Sequence, residues 1–213
     1  MFEIHGESLV DFSLLPFKKT PPTDWTFFYS KQGIRFFFEN ITSNAYLTGT
    51  RIRSPRMPSR RTDPKYAVFG AASAKYLKDS QNIDAQFVGT GEAVATSKAF
   101  LAKAKGRSVL FIRGTNSRQS VQELIGRDLE TEELIVYDNQ PKKKFKIPAC
   151  DYLVFTSPMN AQAYYNRYKP KKKQSVFAIG PTTAAALLDL GIDKMQIATV
   201  PSEQKLAELV LSE

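Results

Sequence analysis

The sequence predicts an α/β protein of two similar domains, each a parallel sheet flanked by helices, with a ligand cleft between them. Three paired segments carry that expectation. TFFYSKQGIRFF at 26–37 and LVFTSPMNAQAY at 153–164 are apolar, strand-like runs that stop at Ser30 and Ser157 and then continue with helical spacing. YAVFGAASAKYL at 66–77 and VFAIGPTTAAALLDLG at 176–191 end their strands at Gly70 and Gly180, three positions before Ser73 and Thr183. FVGTGEAVATSKAFL at 87–101 and ATVPSEQKLAELVL at 198–211 complete the parallel. The same strand–turn–helix order, written twice, indicates a duplicated unit.

Taken in order, the elements alternate. SLVDFS at 8–13 reads as a short strand, and Phe17–Asp24 is a connection punctuated by Pro21 and Pro22. Strand 25–29 and helix 31–41 precede a long basic loop, 42–65, which is treated as an insertion because the matching connection, 168–175, is short. Strand 66–69, helix 72–79, strand 85–88, helix 91–104, strand 107–113 and helix 117–126 follow. Strand 133–138 leads into a Pro-Lys segment, 139–148. The second set is strand 151–156, helix 159–167, strand 175–179, helix 182–190, strand 196–199 and helix 202–211. Strands separated by helices of this length form parallel sheets, and ligands of such sheets sit at the carboxyl ends of the strands. Ser30, Gly70, Ser157 and Gly180 all fall there.

Composition narrows the function. At 213 residues and 42% apolar content the chain suits one large or two small globular domains. No apolar run approaches the roughly 20 residues that span a bilayer, and MFEIHGESLV has no basic signal-like start. A single cysteine, Cys150, suits a reducing cytoplasm and is expected to be packed. One histidine, His5, and no Cys/His cluster leave no pattern for a metal site, and no cofactor motif stands in the chain. Thirty Lys and Arg against 21 Asp and Glu give a net charge of +9, concentrated in RIRSPRMPSRR at 51–61, KKKFK at 142–146 and KPKKK at 169–173. Such charge favours a polyanionic partner, although lysine runs beside prolines are ordinarily solvated loops. The strand-end turns suit an anion, since a glycine lets ligand approach the backbone and the next helix offers unpaired N–H groups. In Gly180-Pro181-Thr182-Thr183 the proline pre-sets the first helical turn. Thr182 or Thr183 would cap that turn or donate to ligand oxygen, and capping alone would explain both.

Four of these segments together resemble a known family. AIGPTTAAALLDLG, VFTSPMNAQAYY, LFIRGTNSRQSVQELI at 110–125 and LIVYD at 134–138 resemble uroporphyrinogen-III synthases in order and approximate spacing, over residues 8–211. The resemblance implies two α/β domains joined by a two-stranded antiparallel β linker at 8–13 and 134–138. One domain would be 14–133 and the other 1–7 plus 139–213. It implies a cytoplasmic, monomeric lyase without cofactor or metal. Its substrate would be hydroxymethylbilane, a linear tetrapyrrole with eight carboxylates, closed with inversion of the last ring and loss of water. Tyr137 matches the tyrosine proposed to help the hydroxyl depart. Ser30, Ser73, Thr156, Ser157, Gly180, Pro181, Thr182 and Thr183, with Gly70, match substrate-binding turns, and Arg113 and Gly114 mark a strand-to-loop turn toward the cleft.

One departure is expected to matter. Family members open with a strand, a Thr-Arg-Pro-like turn and a helix, whereas here seven residues precede Ser8 and Phe2–His5 resemble the strand after that unit. The start is therefore expected to be truncated or misplaced, leaving an open sheet edge and an alternative reading as an impaired family member. A nucleic-acid-binding module is the other rival. Against it, Phe27, Phe28, Phe36, Phe37, Phe155 and Tyr164 follow core spacing rather than that of an exposed stacking platform.

Overall fold

The computed structural model describes residues 3–48, 64–117, 119–171 and 173–213, with the side chains of 44–48 excepted. The basic stretch 51–61 and most of the expected loop 42–65 lie outside the described residues. The chain separates into two compact units, one of Phe12–Asn139 and one of Met1–Asp11 with Gln140–Glu213.

The Phe12–Asn139 unit follows from a short, wholly apolar strand. β2 (Trp25–Phe28) is buried at every position. It lies between β3 (Lys65–Val68) and β5 (Ser108–Gly114), parallel to both, with Phe28 opposite Val68 and Ile112. β4 (Phe87–Val88) extends the sheet beyond β3, and β6 (Glu130–Pro141) and β1 (Val10–Leu14) extend it beyond β5. β6 runs parallel to β5, while Leu15 N–H to Val136 O (3.0 Å) and Lys142 N–H to Leu9 O (2.8 Å) set β1 antiparallel to β6. The sheet is therefore mixed. Alternation sorts the strand side chains into two cores. Phe28, Val68, Leu110 and Ile112 pack with Ile34, Phe37 and Leu77 of α1 (Lys31–Thr48) and α2 (Ala71–Gln81). Trp25, Phe27, Val109 and Phe111 pack with Phe100, Val121 and Ile125 of α3 (Ala93–Ala104) and α4 (Ser120–Ile125).

The other unit repeats half of that plan. β7 (Tyr152–Phe155), β8 (Ser175–Ala178) and β9 (Gln196–Ile197) form a parallel sheet in that order. Leu153, Phe155, Val176 and Ala178 face α5 (Pro158–Tyr165) and α6 (Pro181–Asp189), and Phe177 faces α7 (Glu203–Leu211) with Leu206. Among the described residues β7 pairs only with β8, whereas β2 has partners on both sides.

Three elements differ from expectation. Helix α1 continues to Thr48, through residues assigned to a loop. ITSNAYLT contains no Gly or Pro to end the helix, and within it Thr42 and Ser43 turn their hydroxyls back onto Phe38 O (2.9 Å) and Glu39 O (2.8 Å), which places these polar groups without breaking the helical path. The strand expected at 133–138 starts three residues earlier and runs to Pro141, because its first half pairs along β5 from Ser108 to Ile112. It is thus a full sheet member as well as a candidate linker strand. Residues 3–9, including most of the remnant strand expected at Phe2–His5, have no regular structure. The six aromatic residues expected in the core are buried, between 0% and 5% exposed, which removes their faces from any stacking role. No described helix is long and apolar enough to cross a membrane.

The sheet's amino end is clamped by Asp24. Its carboxylate accepts from Ser108 N–H (3.0 Å) and Oγ (3.2 Å), its own N–H donates to Ser108 Oγ (3.1 Å), and Arg107 lies 3.5 Å away. The Ser108 backbone bond, then its hydroxyl, then Arg107 and Lys65, hold the Asp24 carboxyl below its ordinary 3.8 despite some desolvation. With the folded pKa depressed, the contribution is present above the unfolded pKa and is lost as pH falls through the folded value. Asp24→Asn is expected to lower urea stability at about pH 7 and to converge on the native chain below about pH 4. An undiminished difference at about pH 3 would contradict this clamp.

Candidate functional site

The strand-end turns carry two kinds of start to a helix. Ser30, just past β2, accepts from Gly33 N–H (3.1 Å) and caps α1; Ser157, just past β7, accepts from Asn160 N–H (3.2 Å) and caps α5. Gly70 and Gly180 occupy the cap positions of α2 and α6 in extended conformation, and neither helix has a side-chain cap. In both, the carbonyl of the glycine takes two N–H groups at 3.1 Å, from Ser73 and Ala74 and from Thr183 and Ala184. Gly180 holds the cap position of α6, and Thr182 and Thr183 lie inside its first turn. Ser73 and Thr183 are buried, 8% and 2% exposed, while Thr156, Pro181 and Thr182 are exposed. The exposed first turn of α2, Ala71 and Ala72, keeps N–H groups that can meet an anion.

Within the Phe12–Asn139 unit, one cluster gathers side chains from just past β2 and β5 and from within β6. Tyr137 of β6 pairs with Gly114 at the end of β5, where the register shifts between Arg113 and Gly114. Its ring stacks on Phe36 (centroids 5.4 Å apart) and tilts against Phe12 (5.9 Å). Its hydroxyl lies 3.3 Å from Ser30 Oγ and 3.2 Å from Ser117 Oγ. Gly114 makes room for the ring, because a Cβ there would stand 2.3 Å from Tyr137 Cε2. The chain then closes a turn in which Ser117 N–H donates to Gly114 O and Gly114 N–H donates to Ser117 Oγ, both at 3.1 Å. Asn116 fastens the turn to β6 through Asn139, donating to its Oδ1 (3.0 Å) and its backbone carbonyl (2.8 Å).

Arg113 sits at this turn as expected, but its guanidinium is committed inward. It forms a fork with Glu133 through Nε (2.8 Å) and Nη2 (3.0 Å), and Nη1 donates to the carbonyls of Gly114 and Thr115 (3.1 Å each). Its hydrogen bond with Arg113 is the chief cause holding the Glu133 carboxyl below its ordinary range. Arg113 is 9% exposed and fixes the turn rather than offering a free cation. Tyr29 is likewise structural: its oxygen accepts from Gln122 N–H (3.0 Å), and burial pushes its pKa up to about 12. No group of three metal-ligating side chains stands together among the described residues.

Ser117 and Glu133 escaped the sequence reading. The Gly-Thr-Asn-Ser run after a strand is a turn signal that could have pointed to Ser117. Glu133 lies 20 residues from Arg113, and only the β5–β6 register brings the two together. Replacing Gly114 by alanine is expected to drive a methyl group into the Tyr137 ring and cost about 2–3 kcal/mol in urea unfolding. A loss below about 0.5 kcal/mol would show that the turn and ring can separate freely.

Comparison with known proteins agrees with the resemblance. A family model described as uroporphyrinogen-III synthase HemD matches residues 8–208. A uroporphyrinogen-III synthase of Chlorobaculum parvum is 35% identical over 104 residues, which cover 43% of this chain and 42% of that protein. The match thus spans less than half the length of that curated relative. In fold, the chain is similar to uroporphyrinogen-III synthetase from Helicobacter pylori, with a TM-score of 0.73 at 22% identity over 96% of this chain and 90% of that one. It is also similar to a mutant uroporphyrinogen III synthase from the extremely thermophilic bacterium Thermus thermophilus, with a TM-score of 0.56 at 17% identity over 96% and 85%. With the family model spanning nearly the whole sequence, the chain belongs to the uroporphyrinogen-III synthase HemD family.

Proposed function

We propose that this protein is a uroporphyrinogen-III synthase, a lyase that closes hydroxymethylbilane into uroporphyrinogen III with loss of water and inversion of the last ring. The observation that carries the reading is the match to that family over residues 8–208. The Tyr137 cluster gives it a chemical centre. In this reading residues 8–13 and 134–138 join two α/β domains, 14–133 and 1–7 plus 139–213, in a monomeric cytoplasmic enzyme.

The chemistry asks little of the protein beyond position and one acid. Tyr137 gives its phenolic proton to the departing hydroxyl, the C–O bond breaks toward oxygen, and water leaves. The substituted carbon of the last ring is then held nearest the electrophile, so that closure with inversion outruns simple closure. Reaction stoichiometry requires no net oxidation, and no metal or organic cofactor has a part in this reading. The eight carboxylates of the substrate suit the net charge of +9. The glycine starts of α2 and α6 (Gly70, and Gly180 with Pro181) and the hydroxyls of Thr156, Ser157 and Thr182 are assigned to carboxylate and pyrrole contacts, with the buried Ser73 and Thr183 behind the same turns. Arg113 acts through the turn it anchors.

The test is a coupled assay in which hydroxymethylbilane is generated in situ and the oxidised porphyrin isomers are separated by chromatography. Added protein is expected to move the product from isomer I to isomer III. Persistent isomer I would contradict the proposal, and steeply salt-dependent nucleic-acid binding would then favour the rival reading. Tyr137→Phe is expected to lower kcat by about tenfold to a hundredfold while leaving some isomer III, since positioning survives the loss of the acid.

A further inference from the structure

The two hydroxyls beside Tyr137 are each partly committed to the backbone. A serine hydroxyl has one proton and two lone pairs. Ser30 Oγ already accepts from Gly33 N–H at 3.1 Å, and Ser117 Oγ from Gly114 N–H at 3.1 Å. Among the described residues each of the two oxygens has one further partner, Tyr137 Oη, at 3.3 Å and 3.2 Å. Backbone N–H groups can only donate, so each serine has one lone pair taken by the chain and keeps its proton and one lone pair for the phenol.

We infer that Ser117, together with Ser30, is a positioning residue whose hydroxyl donates to Tyr137 Oη and thereby leaves the phenolic proton for the ligand. The inference rests on the synthase reading above. With two protons arriving at its oxygen, Tyr137 has no serine to donate to. When it gives its proton to the leaving hydroxyl, the phenolate that remains is held by two fixed O–H donors. The balance closes within the reaction: the proton lost from a ring carbon as the macrocycle forms is the one that restores the phenol. In the other unit, Ser157 caps α5 in the way Ser30 caps α1 but has no tyrosine on its oxygen among the described residues, so the cap alone does not require this arrangement.

Ser30→Ala removes a helix cap and Ser117→Ala the Gly114 N–H bond of the turn, so Ser117 is probed with Ser117→Thr, which keeps the hydroxyl, beside it. Four variants suffice: Ser117→Ala, Ser117→Thr, Tyr137→Phe and the Ser117→Ala/Tyr137→Phe double. In the coupled assay Ser117→Ala is expected to lower kcat about tenfold with KM within about twofold, and Ser117→Thr to retain most of kcat. In the Tyr137→Phe background the Ser117→Ala change should alter kcat by less than about twofold, since the group it acts through is gone. An equal factor in both backgrounds, or an unchanged kcat in Ser117→Ala, would overturn the inference. Urea unfolding of the same set keeps the outcomes apart. If the native chain makes no isomer III, the synthase reading fails, while non-additive unfolding energies still support the serine–phenol bond and additive ones overturn it.

Discussion

The parallel register of β2, β5 and β6 is the constraint on which the candidate site depends. Phe28 stands opposite Ile112, so the residues two places further on, Ser30 and Gly114, leave their strands at the same level. The shift in pairing after Arg113 then sets Gly114 against Tyr137. A slip of one residue would turn every side chain of a strand to the other face. Here that would carry Phe28 and Ile112 out of one core and Phe27 and Phe111 out of the other. The two aromatic cores thus fix the register, and the register fixes the distances among three hydroxyls. Gly114 completes the arrangement by supplying no side chain where the tyrosine ring must lie.

The duplication explains the scaffold, and its asymmetry explains where chemistry concentrates. Serine starts after β2 and β7, and glycine starts after β3 and β8, recur at matching places. The first unit adds β5, β6 and α4, and with them Gly114, Ser117, Glu133 and Tyr137. A capping serine in one half therefore gains a phenol that its counterpart lacks among the described residues. The Arg113–Glu133 fork belongs to the same addition. It holds the turn that holds Ser117, which is why a buried arginine is placed beside a site read as binding an anion.

Much of this was legible in the sequence because it is periodic. The strand WTFF, the glycine and serine turns and the small-residue helix PTTAAALLD announce themselves through local pattern, and each has its element. Two things were hidden. The far end of α1 resembles a loop because ITSNAYLT is rich in polar residues, although it contains no Gly or Pro to stop the helix. The direction of Arg113 was hidden as well. Its partner lies on a neighbouring strand, and a basic residue at a strand end looks the same whether it faces ligand or Glu133. Ser117 was missed for a related reason, since its meaning comes from Tyr137, 20 residues away, through a register that no local spacing records.

The central claim is that Tyr137 is the phenol that meets the tetrapyrrole, and one experiment addresses it directly. Protein labelled with carbon-13 at the tyrosine Cζ would be titrated anaerobically with uroporphyrinogen III, with the Tyr137 resonance assigned by its loss in Tyr137→Phe. The account predicts that this resonance moves on binding, while that of Tyr29, bonded to Gln122 N–H, stays in place. A silent Tyr137 beside shifts at other tyrosines would contradict it and place the ligand elsewhere.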